Sequence, residues 1–224
     1  MHTLVDLAED PAYAVLGAPG AGKGTVCKWL RKLYGWGHLE SGDRFRQVIK
    51  ADPNTQAAQF LARFVPVGEL VPDDVVMQYA AVWLEDMSLR LYDGIPRRDS
   101  QCAPFDELVW RKQGRRIKRA LFVKVSRTDL KARLPFRKVC LGCAAIWNDL
   151  TRPSRIANVC DDCQGVLEPR TDDTPELVDR RQDIFEALYG PVLDYYRQQG
   201  KLREIVYTND MKVDDLFAAV AACL

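Results

Sequence analysis

Residues 15–25 read VLGAPGAGKGT, from Val15 to Thr25. Gly17, Gly22 and Lys23 keep the spacing of the phosphate-binding loop, G-x-x-x-x-G-K-[ST], but Gly24 stands where that pattern has a hydroxyl residue and Thr25 follows it. The chemistry tolerates the extra residue. A glycine-rich turn between a strand and a helix lets successive backbone N–H groups converge on phosphate oxygens, and the helix N-terminus adds a favourable dipole. Lys23 supplies a mobile positive charge. Thr25 lies on the same first helical turn, within reach of phosphate or of metal-bound water. A Rossmann reading fails, because glycines at 17, 20, 22 and 24 do not give G-x-G-x-x-G.

Outward from this loop, short apolar runs at 12–17, around 37–40, at 88–93, 119–125 and 202–207 alternate with helical patterns at 23–34, 42–64 with interruptions, 72–87, 103–113, 127–134, 175–199 and 211–223. Such alternation predicts an α/β core of five parallel strands covered on both faces, with ligands at the carboxyl ends of the strands. Two segments break the pattern. Residues 42–71 carry helix without strand, and residues 138–170 carry paired cysteines and many turn formers, so both read as inserts into a core of 1–41, 72–137 and 171–224. After the second insert, Asp173 or Thr174 can cap a helix that Pro175 opens. Asp172 and Asp173 read as caps or hinge residues, and Gly190-Pro191 is expected to kink the helix.

At 224 residues with 32 basic and 31 acidic side chains, the chain lacks the charge excess of a protein that holds nucleic acid by bulk electrostatics. No segment approaches the ~20 apolar residues of a membrane span, and a soluble, cytoplasmic protein is expected. Near-neutral charge gives no sign of an oligomer, so a monomer is expected. The only histidines are His2 and His38, and His38 is read as structural. Four of the seven cysteines form Cys140-x-x-Cys143 and Cys160-x-x-Cys163, 16 residues apart. Four thiolates can surround one Zn²⁺ and leave no open position, so the site is structural and replaces a core that the insert is too small to build. An iron centre, an empty site and disulfides are the alternatives. Cys27, Cys102 and Cys223 read as plain thiols.

Seven segments in one order carry a further signal: GAPGAGKGT (17–25), ESGDRFR (40–46), GELVPDD (68–74), DGIPRRDSQ (93–101), RLPFRKVCLGC (133–143), CDDC (160–163) and EPRTDDTPELVDRR (168–181). Through them the chain resembles the adenylate kinases, in the long-lid form that carries zinc. The resemblance implies transfer of a phosphoryl group from MgATP to AMP, giving two ADP, with a helical AMP-binding insert at 42–71 and a zinc-ribbon lid at 138–170. It implies that Gly20, Ala21, Gly22, Lys23, Gly24 and Thr25 hold ATP, with Arg133, Arg137, Ile146, Trp147 and Lys212 on the donor side. AMP would meet Ser41, Arg46, Glu69, Leu70, Val71, Gly94, Arg97 and Gln101, the last at the adenine. Arg170 and Arg181 would converge on the transferring group, and Asp43 and Asp93 would hold Mg²⁺ through water. By the same resemblance Lys23, Asp93, Arg97, Arg133, Arg137, Arg170 and Arg181 form the catalytic set.

The chain departs from the family wording at Ser41, where Thr is usual, and at Ile95, where Phe is usual. Trp147 replaces a common Tyr and either stacks near the ATP base or packs under the lid. Residues 148–155 keep little of the usual lid sequence. A kinase for another nucleoside monophosphate, such as UMP or CMP, and a non-catalytic zinc-ribbon protein that binds nucleotide or nucleic acid are the competing readings.

Overall fold

The structure is a computed structural model and describes residues 10–143, 145–169 and 173–224. At its centre is β1 (Ala12–Leu16), the run that precedes the glycine loop, with all five residues buried. Successive side chains of a strand point to opposite faces. Ala12, Ala14 and Leu16 accordingly enter one apolar layer, while Tyr13 and Val15 enter the other. A strand buried on both faces needs a continuous apolar run, which AYAVL provides.

The other core strands are β2 (Gly37–Glu40), β3 (Leu89–Asp93), β4 (Ile117–Lys124) and, counting three lid strands between, β8 (Leu202–Val206). They line up as β2-β3-β1-β4-β8, and every pairing is parallel. All five lie where the sequence places apolar runs. On one face pack α2 (Ser41–Ala51), α3 (Gln56–Leu61), α4 (Asp73–Trp83), α5 (Asp99–Gln113) and much of α7 (Pro175–Gln198), through residues such as Phe45, Leu61, Ala80, Phe105 and Tyr196. The other face receives α1 (Lys23–Tyr34), α6 (Arg127–Arg133) and α8 (Val213–Ala221), through Val26, Leu30, Leu130, Leu216 and Val220. Trp29 of α1 and Phe217 of α8 stack with ring centres 4.7 Å apart.

One local expectation changes, and a second is settled within its stated alternatives. Helix α5 opens at Asp99, not at 103, so Pro104 lies inside it rather than in its first turn. The cap of α7 is Thr174, whose hydroxyl accepts the Leu177 N–H at 3.4 Å, with Pro175 in the first turn; Asp173 has another task, described below. The helix itself runs without interruption through Gly190-Pro191.

The second insert contains a sheet that its sequence does not advertise. Strands β5 (Arg137–Cys140), β6 (Ile146–Asn148) and β7 (Leu167–Pro169) pair antiparallel in the order β6-β5-β7. Strands of three or four residues are too short to display a periodic pattern.

Candidate active site

The loop after β1 and the first turn of α1 form the floor of a cleft at the carboxyl ends of the strands. Gly22 caps α1 without a side-chain acceptor, and the first turn carries no acidic residue, so nothing of the protein's own competes for its orphan N–H groups. Gly20 has φ +86°, and a Cβ there would stand 2.7 Å from Leu134 Cδ2. Only glycine fits the turn. A Cβ at Gly24 would lie 3.7 Å from Ile146 Cδ1, so the lid strand β6 reaches the loop at its additional residue. Thr25 lines the cleft, one residue beyond the usual hydroxyl position. Lys23 donates to Ala18 O at 3.1 Å and stands 3.7 Å from Asp93 Oδ1.

Asp93 ends β3 and is 4% exposed. Burial works to raise its pKa, but Lys23 and then His38 outweigh it and hold the carboxyl below the usual range. His38, read from sequence as structural, lies beside Asp93. Its Nε2 is 3.7 Å from Asp93 Oδ2, and Cys27 completes a cluster of three whose polar atoms lie within 4.8 Å of one another. Burial opposes protonation of the imidazole, yet Cys27 and Asp93 push its pKa well above the usual value.

On the insert side, Ser41 opens α2 and donates to Gly94 O at 2.7 Å, and Arg97 Nε donates to the same oxygen at 2.8 Å. Gln101 accepts the Arg97 N–H at 2.7 Å and donates to Asp73 at 2.8 Å. Its amide is half used within the protein, and one donor and one acceptor position remain for a base. Ile95 is fully buried in the core beneath this loop and does not line the cleft. Arg46 pairs with Glu40 at 3.2 Å, and Glu69, Leu70 and Val71 line the opposite wall.

The lid-side arginines are held by specific partners. Arg133 is 4% exposed, donates to Asn209 Oδ1 at 2.9 Å and lies over the Tyr207 ring at 4.8 Å. Arg137 makes a two-pronged contact with Asp173, which also stands 3.6 Å from Arg181 NH1. One carboxylate therefore links two of the expected phosphate-binding arginines.

Not every expected residue reaches the cleft. Asp43 does not line it; on the first turn of α2, its carboxylate accepts from Gln47 at 2.7 Å and lies 3.7 Å from Arg46. The Gln47 amide and the Arg46 guanidinium of its own helix hold that orientation. Lys212 caps α8 with its N–H on Asp215, and it is Val213 that lines the cleft. Ala21 is buried beneath the loop, its N–H turned to Ala18 O. Arg170 lies outside the described residues, as does Asp172.

Two groups escaped the sequence reading. Gln182 Nε2 donates to Pro19 O at 3.1 Å, and the Gly17 N–H donates to Tyr189 Oη at 3.4 Å, so α7 grips both shoulders of the phosphate loop. The position of Gln182 directly after Arg181 was the only available hint.

In the lid, Cys140 Sγ and Cys163 Sγ are 3.4 Å apart, Cys143 Sγ and Cys160 Sγ 3.7 Å, and all four lie within 4.8 Å of one another. Four sulfurs at about 2.3 Å from a tetrahedral zinc would stand about 3.8 Å apart. The set fits that ion. All seven cysteines are free thiols in this structure. The two knuckles repeat one turn: Cys140 N–H donates to Ala145 O at 2.9 Å and Cys160 N–H to Gly165 O at 2.8 Å. Among the described residues no helix is long and apolar enough to cross a membrane.

Comparison with known proteins agrees with this geometry. The adenylate kinase family model matches residues 15–201. Adenylate kinase of Thermosipho melanesiensis is 35% identical over 208 residues, covering 92% of this chain and 95% of the relative. Those of Lachnospira eligens and Carboxydothermus hydrogenoformans are 33% and 32% identical over 213 residues each, covering 94% of this chain and 98% and 97% of the relatives. With the phosphate loop, the arginine-lined cleft and the four-cysteine lid in one molecule, and relatives matching over nearly its whole length, the chain belongs to the adenylate kinase family.

Proposed function

We propose that this cleft carries out the family reaction, MgATP + AMP to two ADP, by direct in-line transfer with no covalent intermediate. The observation that carries the reading is the convergence of Lys23, Arg97, Arg133, Arg137 and Arg181 on one cleft whose floor is an uncapped helix N-terminus. Phosphoryl transfer needs positioning and compensation of charge on the equatorial oxygens far more than it needs a nucleophilic side chain. Donor phosphates lie on residues 20–25, and Arg133 and Arg137 approach from the lid. AMP occupies the wall formed by Ser41, Arg46, residues 69–71, Gly94, Arg97 and Gln101, with Arg181 between the two nucleotides.

Mg²⁺ accompanies ATP and neutralises phosphate charge; the ionised, buried Asp93 is the carboxylate suited to hold its water shell. Zn²⁺ in the Cys140/Cys143/Cys160/Cys163 set is a structural ion that stiffens the lid. Residues 42–71 and 138–170 act as inserts that close over AMP and ATP and exclude water. A monomer suffices, since every group named comes from one chain.

The test is ADP formation with MgATP and AMP, UMP, CMP or GMP in turn. Turnover confined to AMP is expected, and Lys23→Ala should lower it about 100-fold or more, the scale of losing one transition-state electrostatic partner. Preference for another base would overturn the AMP assignment around Gln101. Near-normal turnover of the folded Lys23→Ala protein would overturn the role of the loop.

A further inference from the structure

The lid side of the cleft holds one more cation, which the assignments above leave without a task. Arg152 follows β6 on a turn built by Asn148. The Asn148 side-chain oxygen accepts the N–H groups of Leu150 and Thr151 at 3.0 Å each, and its amide donates to Arg133 O at 2.7 Å. Backbone hydrogen bonds of 3.2 and 2.8 Å join Asn148 and Arg152 in both directions. The turn is thereby closed, and it returns Arg152 over the strand it has just left.

Its guanidinium carbon lies 4.4 Å from the centre of the Trp147 ring, and that indole is only 4% exposed. Arg152, Trp147, Ile146 and Thr151 line the cleft. Arg137 and Arg181 are drawn to Asp173, whereas no acidic side chain among the described residues lies within ion-pairing distance of Arg152. Among the described residues it has no salt bridge to maintain. With its carbon 4.4 Å from the indole centre and the residue lining the cleft, the guanidinium has a further side for a neighbour, and a planar guanidinium is suited to stacking on an aromatic ring.

We propose that Arg152 recognises the base of the donor nucleotide, which stacks on the guanidinium with Trp147 as the layer behind it. This inference rests on the assignment of the lid side to ATP. It gives buried Trp147 a supporting part instead of direct base contact. It also predicts preference for a purine donor, whose larger face overlaps the guanidinium more fully than a pyrimidine does.

The experiment compares wild type, Arg152→Ala and Arg152→Lys as zinc-loaded full-length proteins, with ATP or CTP as donor at fixed AMP. Calorimetric binding of ATP and of inorganic tripolyphosphate is measured on the same samples. Both variants should lose about tenfold in kcat/KM for ATP, the lower end of base stacking on a side chain. The loss with CTP should be less than half as large in fold terms, with KM for AMP and tripolyphosphate affinity unchanged. Arg152→Lys keeps the charge and the alkyl stem, so it reports stacking even where the Ala variant folds poorly. Equal losses for ATP, CTP and tripolyphosphate would mean a phosphate contact and overturn the inference, as would wild-type behaviour of Arg152→Lys. If the wild type transfers phosphate but the variants shift KM for AMP instead of ATP, the donor assignment of the lid side falls and the inference with it.

Discussion

Replacing Gly94 by alanine tests the acceptor wall at the point where backbone and ligand chemistry meet. Gly94 has φ +78°, and a Cβ built on it would lie 2.8 Å from both Arg97 NH2 and Ser41 Oγ. Neither approach is tolerable. Ser41 is short and anchored on Gly94 O, so the guanidinium of Arg97, the group assigned to the AMP phosphate, is the part that must yield. The left-handed backbone costs roughly 1–2 kcal/mol with a side chain present. Restriction of the unfolded chain returns about 0.4–1 kcal/mol. The net loss of about 1 kcal/mol corresponds to a fall in Tm of about 2–4 °C for a chain of this size. Displacing Arg97 removes a charged hydrogen bond worth about 1.5–3 kcal/mol, or about 10- to 150-fold in kcat/KM for AMP. Coupled-enzyme assays with AMP varied at saturating MgATP, then with ATP varied at saturating AMP, separate the two substrates. A wild-type KM for AMP in the folded variant, or an equal rise for ATP, would refute the placement of AMP on Arg97.

The lid and His38 offer two further tests. Stripping the four cysteines with a chelator and a thiol reagent should release one zinc per chain, open residues 138–169 to proteolysis and raise KM for ATP, while the core keeps its cooperative melt; a fully active, protease-resistant apoprotein would argue that the metal is dispensable to the lid. For His38, the raised folded pKa means that the native protein binds this proton more tightly than the unfolded chain does. Its stabilisation is then complete below the unfolded value of about 6.5 and lost as pH rises through the folded one. Urea melts of wild type and His38→Asn should differ most in mildly acidic solution and converge as pH increases. Parallel curves across that range would exclude the Asp93–His38 interaction as a source of stability.

Fold and site differ in how far they can be read from the chain. The central strand β1 announces itself, because a strand buried on both faces must be apolar throughout, whereas β2 and β8 are partly exposed and show only shorter apolar runs; the glycine spacing at 17–24 is dictated by backbone geometry within a few residues. The lid strands could not be seen, since four thiols substitute for the apolar pattern that would have marked them. The family wording pointed to the arginines but not to their partners. Arg137 and Asp173 are 36 positions apart, and Gln182 and Pro19 are 163 apart. Asp43 matched a motif, yet Arg46 and Gln47 on its own helix turn its carboxylate aside.

The sequence alone therefore determined the five-strand core, the glycine-rich loop and the four-cysteine cluster, whose signals are local: periodicity, spacing and the residue types that a tight turn or a metal demands. Tertiary structure decided which charges pair, which carboxylate faces the cleft, how α7 grips the loop, and that Arg152 lies on Trp147. Those outcomes depend on distances between segments far apart in the chain, and such distances are set only when the helices pack on the sheet and the lid turns close.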